Sequence, residues 1–219
     1  MILINSILLL VIVICVNSCG GEGIDDVEAI HSSSEVKYEK ELYPDGQLKS
    51  KIELNSEGLR DGEALSFYHS GAVINKAIFK NGIRVGENFV YYEDSSIKIK
   101  EVYNESGELH GVYEEYFENG ILKKKGRFED GNMAGEWKEY YENGELYEPN
   151  QMKNGELEGI QKVFHTNGQL GVIGLSQGGL EEGEWIYLDL DGDTLKEEYY
   201  EKGKLVRSNQ LKPSKKAVE

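Results

Sequence analysis

The sequence predicts an all-β protein: an elongated, single-layer antiparallel meander of about seven stacked β-hairpin repeats. Three observations lead to this fold class. A segment of about 24 residues recurs along the chain, turn signals marked by glycine interrupt each copy twice, and short runs rich in tyrosine, valine and leucine separate the turns. Because apolar residues do not recur with a helical period, the pattern disfavours a helical array.

Glycines define the copies. The segments that begin at Gly111 and Gly135 align without gaps over 24 residues, and an earlier copy without the initial glycine begins near Lys37. The first turn of a copy is often Asn-Gly or Asp-Gly, a hairpin signal in which both central residues adopt positive φ. A second turn follows about eleven residues later, so we expect about fourteen strands. The other copies begin at Gly62, Gly86, Gly159 and Gly183.

Aromatic residues also recur at fixed places. A pair such as Tyr140-Tyr141 precedes the first turn of most copies, and an aliphatic residue such as Leu146 follows that turn. Neighbouring residues of a strand point to opposite faces, so both faces of the sheet are expected to carry aromatic side chains. Each hairpin can bury them only against the next hairpin, and stability should therefore be nearly additive along the row.

The overall charge restricts the partners. The chain carries a formal net charge of −16, from 40 Asp and Glu against 24 Lys and Arg. A surface of this sign repels phosphate backbones, which argues against nucleic acid as a partner. It also repels anionic lipid head groups, so attachment to a membrane is expected to come from an anchor.

The N-terminus supplies such an anchor. Residues 7–16 are an unbroken apolar run, about half of the roughly 20 residues that a spanning helix needs, which indicates an export signal. The run leads to Val16-Asn17-Ser18-Cys19, which resembles the lipobox of bacterial lipoproteins. The first six residues depart from that pattern because they contain no Lys or Arg. The resemblance implies a signal peptide at 1–18, a lipidated Cys19 and a location in the cell envelope, either periplasmic or at the outer membrane or surface.

The remaining boundaries follow from composition. Residues 19–36 are acidic and contain Gly and Ser, which predicts a flexible tether. The repeat array is expected over residues 37–205, and residues 206–219 are expected to form a polar, basic tail.

The repeat resembles a known family. The pattern G-x-W-x-x-Y-Y-x-N-G-x-L, as it stands from Gly135 to Leu146, is similar to that of MORN repeats. More closely, it resembles the bacterial MORN variants labelled YwqK-family antitoxins. The resemblance implies stacked antiparallel hairpins with roles in protein assembly, scaffolding or binding at membranes. An antitoxin or immunity function is a further implication, although an exported chain would not meet a cytoplasmic toxin.

Catalytic and metal-binding patterns are weak. The four histidines lack the spacing of metal ligands, and no nucleophile elbow, P-loop or dinucleotide fingerprint occurs, so neither an enzyme nor a cofactor is predicted. The best metal candidate is Asp189, Asp191 and Asp193, but Gly192 stands at the fourth rather than the sixth position of a calcium loop. Tyr200 also replaces the glutamate that such a loop needs, and an acidic hairpin turn is therefore expected.

A binding surface formed by aromatic rows is the sharper hypothesis. Exposed rings could contact a protein partner, which we expect to be the main ligand, or could stack on envelope polysaccharide. The alternative is that the rings supply the apolar packing of the sheet itself. The candidate residues are Tyr92, Tyr113, Tyr116, Trp137, Tyr140 and Trp185.

Overall fold

The computed structural model describes residues 36–211. The expected signal peptide, Cys19, nearly all of the tether and the last eight residues lie outside this range. No helix among the described residues has the length and apolar character to cross a membrane. Residues 36–211 form sixteen strands: β1 (Lys37–Leu42), β2 (Leu48–Leu54), β3 (Arg60–Phe67), β4 (Val73–Lys80), β5 (Ile83–Tyr91), β6 (Ile97–Tyr103), β7 (Gly111–Tyr116), β8 (Leu122–Glu129), β9 (Asn132–Tyr140), β10 (Leu146–Lys153), β11 (Glu156–Leu157), β12 (Gly159–Phe164), β13 (Leu170–Gln177), β14 (Leu180–Leu188), β15 (Thr194–Glu201) and β16 (Lys204–Gln210).

The strands form the expected meander. Within each sheet, every strand pairs antiparallel with the strand that follows it in the chain, which confirms the all-β hairpin fold. The hydrogen-bond ladder is interrupted once, so β1 to β11 form an eleven-stranded sheet and β12 to β16 form a five-stranded sheet. The array also continues beyond residue 205, because Leu205 pairs with Tyr200 and Arg207 pairs with Tyr199 in an additional strand.

A proline explains the interruption. In the larger sheet, Lys76 of β4 pairs with Phe89, and Lys125 of β8 pairs with Lys138 of the next strand. The corresponding residue of β10 is Pro149, which has no N–H to donate and is therefore found at sheet edges and breaks. β10 and β12 remain neighbours without forming a ladder.

The turns are of two kinds, and their order differs from the sequence prediction. Two-residue loops with two positive φ angles occur at five of the seven second turns, as at Asn81 (49°) and Gly82 (85°), whereas the second turns at Gly58 and Gly107 have positive φ at the glycine alone. At the first turn only the last loop residue has positive φ, as in Gly120 at 80°. The Asn119 side chain accepts a hydrogen bond from the N–H of Ile121 at 2.9 Å and stabilises that turn in place of a second left-handed residue.

The two faces of the array differ in packing. Ala64 pairs with Ala77 and Tyr113 pairs with Gly126, and these residues share one face with Trp137, which is 1% exposed. We call this side the packed face. The Trp137 ring lies directly over Gly126, where a Cβ atom would come within 2.1 Å of the indole. A residue without a side chain is therefore what allows the ring to be buried.

A row of hydrogen bonds joins successive copies at the first-turn edge. The second residue of each aromatic pair lies just beyond its strand rather than within it, so it does not cover a face as the sequence analysis expected. Its polar end bonds to the backbone carbonyl that ends the corresponding strand of the next copy. The bonds are Tyr43 to Phe67 (2.7 Å), Tyr68 to Tyr91 (2.9 Å), Tyr92 to Tyr116 (2.7 Å), Tyr141 to Phe164 (2.8 Å) and His165 to Leu188 (3.0 Å).

Candidate binding surface

Lysines form a column on the side opposite the packed face. Lys51, Lys76, Lys100 and Lys125 occupy the same position in four successive copies, each on the second strand of its hairpin. Because strand residues alternate between faces, these lysines point away from the Ala64–Trp137 side. We call this side the lysine face.

Each lysine of the column lies close to a carboxylate or an aromatic ring. Lys76 lies 2.5 Å from Glu63, Lys100 lies 3.1 Å from Glu87 and Lys125 lies 3.0 Å from Glu114. Lys51 instead lies over the ring of Tyr38, with its Nζ 4.0 Å from the ring centroid. These ammonium groups are a third to a half exposed, and exposed ion pairs contribute little to stability. The lysines can therefore exchange partners at small cost.

Protonation reflects these contacts. The hydrogen bond to Glu63 raises the pKa of Lys76, and the hydrogen bond from Lys125 lowers the pKa of Glu114. Both shifts favour the charged forms of Lys76 and Glu114. The lysine column therefore presents fixed positive charge in a chain whose net charge is strongly negative.

Aromatic side chains flank the lysines. The Tyr116 hydroxyl donates to Glu114 at 3.0 Å, the same carboxylate that binds Lys125, and burial raises the pKa of Tyr116. The Phe89 and Tyr91 rings stack with centroids 6.2 Å apart, and Lys100 lies 5.7 Å from the Phe89 centroid.

At least four depressions lie on the lysine face. One of about 330 Å³ is bounded by Leu65, Lys76 and Tyr91, and one of about 410 Å³ is bounded by Lys125 and Tyr140. A third, of about 240 Å³, is centred at the break in the ladder. The fourth is small, at about 10 Å³, and lies near Lys51. The depressions thus follow the lysine column and its aromatic border.

The tryptophans lie on the other side. Trp137 packs against Phe128 at 5.0 Å and Tyr113 at 5.7 Å, and its Nε1 donates to the Arg127 carbonyl at 3.2 Å. Burial raises the pKa of Tyr113 to about 12. Trp137 belongs to the packing of the sheet, because Gly126 leaves room for its ring to be covered. Its ring is therefore not exposed as the hypothesis of an aromatic binding surface expected.

The other candidate aromatics divide between several places. Trp185 is half-buried over Gly174 on the packed face, and Tyr92 is part of the first-turn hydrogen-bond row. Tyr116 and Tyr140 are half-buried on the lysine face. Of the candidate residues, Tyr140 borders one of the described depressions, and Tyr116 lies near Lys125 through their shared partner Glu114.

The lysine column was not predicted from the sequence. Its signal was available, because Lys51, Lys76, Lys100 and Lys125 recur at spacings of 25, 24 and 25 residues. An excess of acidic residues over the whole chain concealed it. The two faces could be distinguished only once the positions opposite the tryptophans were known.

The acidic hairpin forms a turn. Asp189 Oδ1 accepts the N–H groups of Asp191 and Asp193, both at 2.9 Å, in the way that Asn119 stabilises an earlier copy. Among residues 36–211, no group of three or more His, Cys, Asp or Glu side chains is arranged to hold a metal ion.

The repeats match a known family. Residues 60–81, 109–130, 133–154 and 157–170 match the family model described as MORN repeat variant. These segments lie in both sheets and on both sides of the break. No curated protein matches the chain. The hairpins of these four segments are therefore similar to MORN repeats in their variant form.

Proposed function

We propose that this chain is a non-enzymatic binding lipoprotein, anchored through Cys19, whose lysine face holds a protein partner at the bacterial envelope. The row of depressions on one face of a regular sheet is the observation that carries the proposal. Repeats of this family are often involved in binding proteins or membranes.

Exposed apolar side chains support a protein ligand. Val112 is 45% exposed, and Ile160, beside the break, is 62% exposed. Both border depressions of the lysine face. Apolar groups rimmed by charged residues are typical of protein interaction sites.

A photocrosslinking experiment in intact cells tests the site. A photoreactive phenylalanine analogue at Val112 or Ile160 is expected to capture the same protein partner. The control position is Leu190, which is 57% exposed at a first turn, and it should capture that partner at least tenfold less. Equal capture from all three positions, or no reproducible adduct, would count against the lysine face as the site.

A second experiment tests the anchor. Substituting Cys19→Ser should move the protein from the membrane to the soluble fraction, because the acyl chains would be lost. Substituting Cys15→Ser, within the expected signal peptide, is the control and should leave fractionation unchanged.

The polysaccharide alternative loses its main support. It proposed stacking of sugars on rows of exposed aromatic rings, and Trp137, one of those rings, is buried. The antitoxin alternative depends on family resemblance alone, which does not identify function.

A further inference from the structure

We infer that the lysine face binds a polyproline-II segment of the partner that carries an acidic residue at every third position and runs along the array, across the strands. This inference rests on the proposed function and names the chemistry of the partner. It is drawn from the period of the lysine column, from its charge and from the aromatic rings beside it.

The period is the first argument. Equivalent positions in successive copies lie two strands apart, which is about 9.6 Å at a strand spacing of about 4.8 Å. A polyproline-II helix advances about 9.3 Å in each three-residue turn. The mismatch is about 0.3 Å per copy and about 1 Å over the three intervals from Lys51 to Lys125. Every third side chain can therefore meet the next lysine of the column.

Other regular peptides fit less well. An α-helix repeats a face after seven residues, or about 10.5 Å, so its mismatch reaches roughly 3 Å over the same three intervals. An extended strand advances about 10 Å in three residues, but every third side chain points to the opposite side. The polyproline-II helix combines a matching rise with a constant direction.

The basic residues around the depressions predict an acidic residue at every third position of the bound peptide. The largest of these depressions is bounded by Lys125, Arg127 and Lys138 with one acidic side chain, Glu136. Lys76 contributes a further ammonium group to the depression between β3 and β5, where Glu63 is its exposed ion-pair partner. A carboxylate of the ligand could replace the exposed intramolecular partner of each lysine at small cost.

Aromatic rings account for the other two positions. Tyr91 borders the depression beside Lys76, and Tyr140 borders the one beside Lys125. Aromatic-lined grooves recognise prolines, and the preformed polyproline-II backbone loses little entropy on binding. A Pro-Pro-Glu repeat would place prolines along the tyrosines and carboxylates over the lysines.

Synthetic peptides test the inference directly. The full chain in a mild non-ionic detergent is titrated with four repeats of Pro-Pro-Glu, with four repeats of Pro-Pro-Lys, and with a peptide of identical composition in which the glutamates are grouped at one end. Fluorescence anisotropy of labelled peptides gives the affinities. The first peptide should bind at least tenfold more tightly than either control, and its affinity should fall as salt is added.

Matched variants locate the site. Replacing Lys76, Lys100 and Lys125 together by Gln should weaken binding of the Pro-Pro-Glu peptide at least tenfold. Replacing Lys80, Lys153 and Lys204 by Gln removes the same charge next to the second turns, outside the column, and should change affinity less than twofold. Circular dichroism of both variants verifies that the sheet is retained.

Each result bears on one claim. Equal affinity for the ordered and grouped peptides, or equal effects of the two triple variants, would overturn the inference. If that happens while Val112 and Ile160 still capture a common partner, the proposed function stands and only the peptide class is wrong. If capture also fails, both are rejected.

Discussion

The eleven-stranded and five-stranded sheets share one repeat but present different surfaces. In the larger sheet the column position is lysine four times, whereas the smaller sheet has Ile173 and Glu197 there. Pro149 occupies the same position between them and ends the ladder. Turn glycines thus determine the backbone of both sheets, while a single column of residues determines which sheet can hold an acidic ligand.

The comparison extends to the packed face. Trp137 lies over Gly126 in the larger sheet and Trp185 lies over Gly174 in the smaller, and a Cβ at either glycine would come within 2.1 Å of the ring. Trp137 is buried and Trp185 is half-buried. Since these are the chain's two tryptophans, the fluorescence of each reports on its own sheet.

The largest expected loss of stability comes from placing a methyl group at Gly126 or Gly174, under the tryptophan rings. Gly126→Ala should destabilise the larger sheet by about 2 to 3 kcal/mol, because the enclosed Trp137 ring has no room to move. Gly174→Ala should cost about 1 kcal/mol, because Trp185 can turn toward solvent. Urea unfolding followed by tryptophan fluorescence measures both. Equal losses would show that the two rings are equally constrained.

Replacing Pro149 by a residue with a backbone N–H should join the two sheets. Pro149→Lys supplies an N–H toward β12, and a ladder hydrogen bond contributes about 1 kcal/mol. We expect slower hydrogen exchange at the β12 amides. Pro44→Lys, at an exposed first turn, is the control and should leave those amides unchanged. If exchange at β12 is as fast as before, the proline is not what separates the sheets.

The hydrogen bonds of the first-turn row can be tested by removing one hydroxyl and by adding another. Tyr68→Phe removes the bond to the Tyr91 carbonyl and should cost about 1 kcal/mol. Phe117 holds the position of Tyr68 in its own copy but has no hydroxyl. Phe117→Tyr should therefore add a hydrogen bond and stabilise the protein by part of that amount. Both are measured by urea unfolding. If Tyr68→Phe leaves the free energy of unfolding unchanged, water replaces this hydrogen bond fully.

The smallest expected effect depends on pH. Glu148 lies directly opposite Glu139, and burial raises the pKa of its carboxyl above the ordinary value of 4.5. An acid with a raised pKa in the folded state opposes folding once ionised, so Glu148→Gln should stabilise the protein slightly at pH 7. Below pH 4.5 the carboxyl is protonated in both states and the difference should vanish. A benefit that is the same at pH 4 and pH 7 would rule out ionisation as its cause.

Much of the fold could be predicted because its signals are local. Gly82 and Gly120 mark turns through their own φ angles, and the strands between them follow. The break could not be predicted from periodicity, since Pro149 fits the repeat spacing and acts only through an absent donor. The role of Trp137 required knowing that Gly126 lies opposite it, eleven residues away on the preceding strand.

That glycine and tryptophan belong to different copies of the repeat. Gly126 lies on the second strand of one hairpin and Trp137 on the first strand of the next, and Gly174 and Trp185 repeat this arrangement, so two seams join an empty site to a bulky neighbour. A gene that gains or loses a copy at either of these two junctions must therefore keep a glycine in the copy that precedes the tryptophan, whereas the other junctions carry no such requirement.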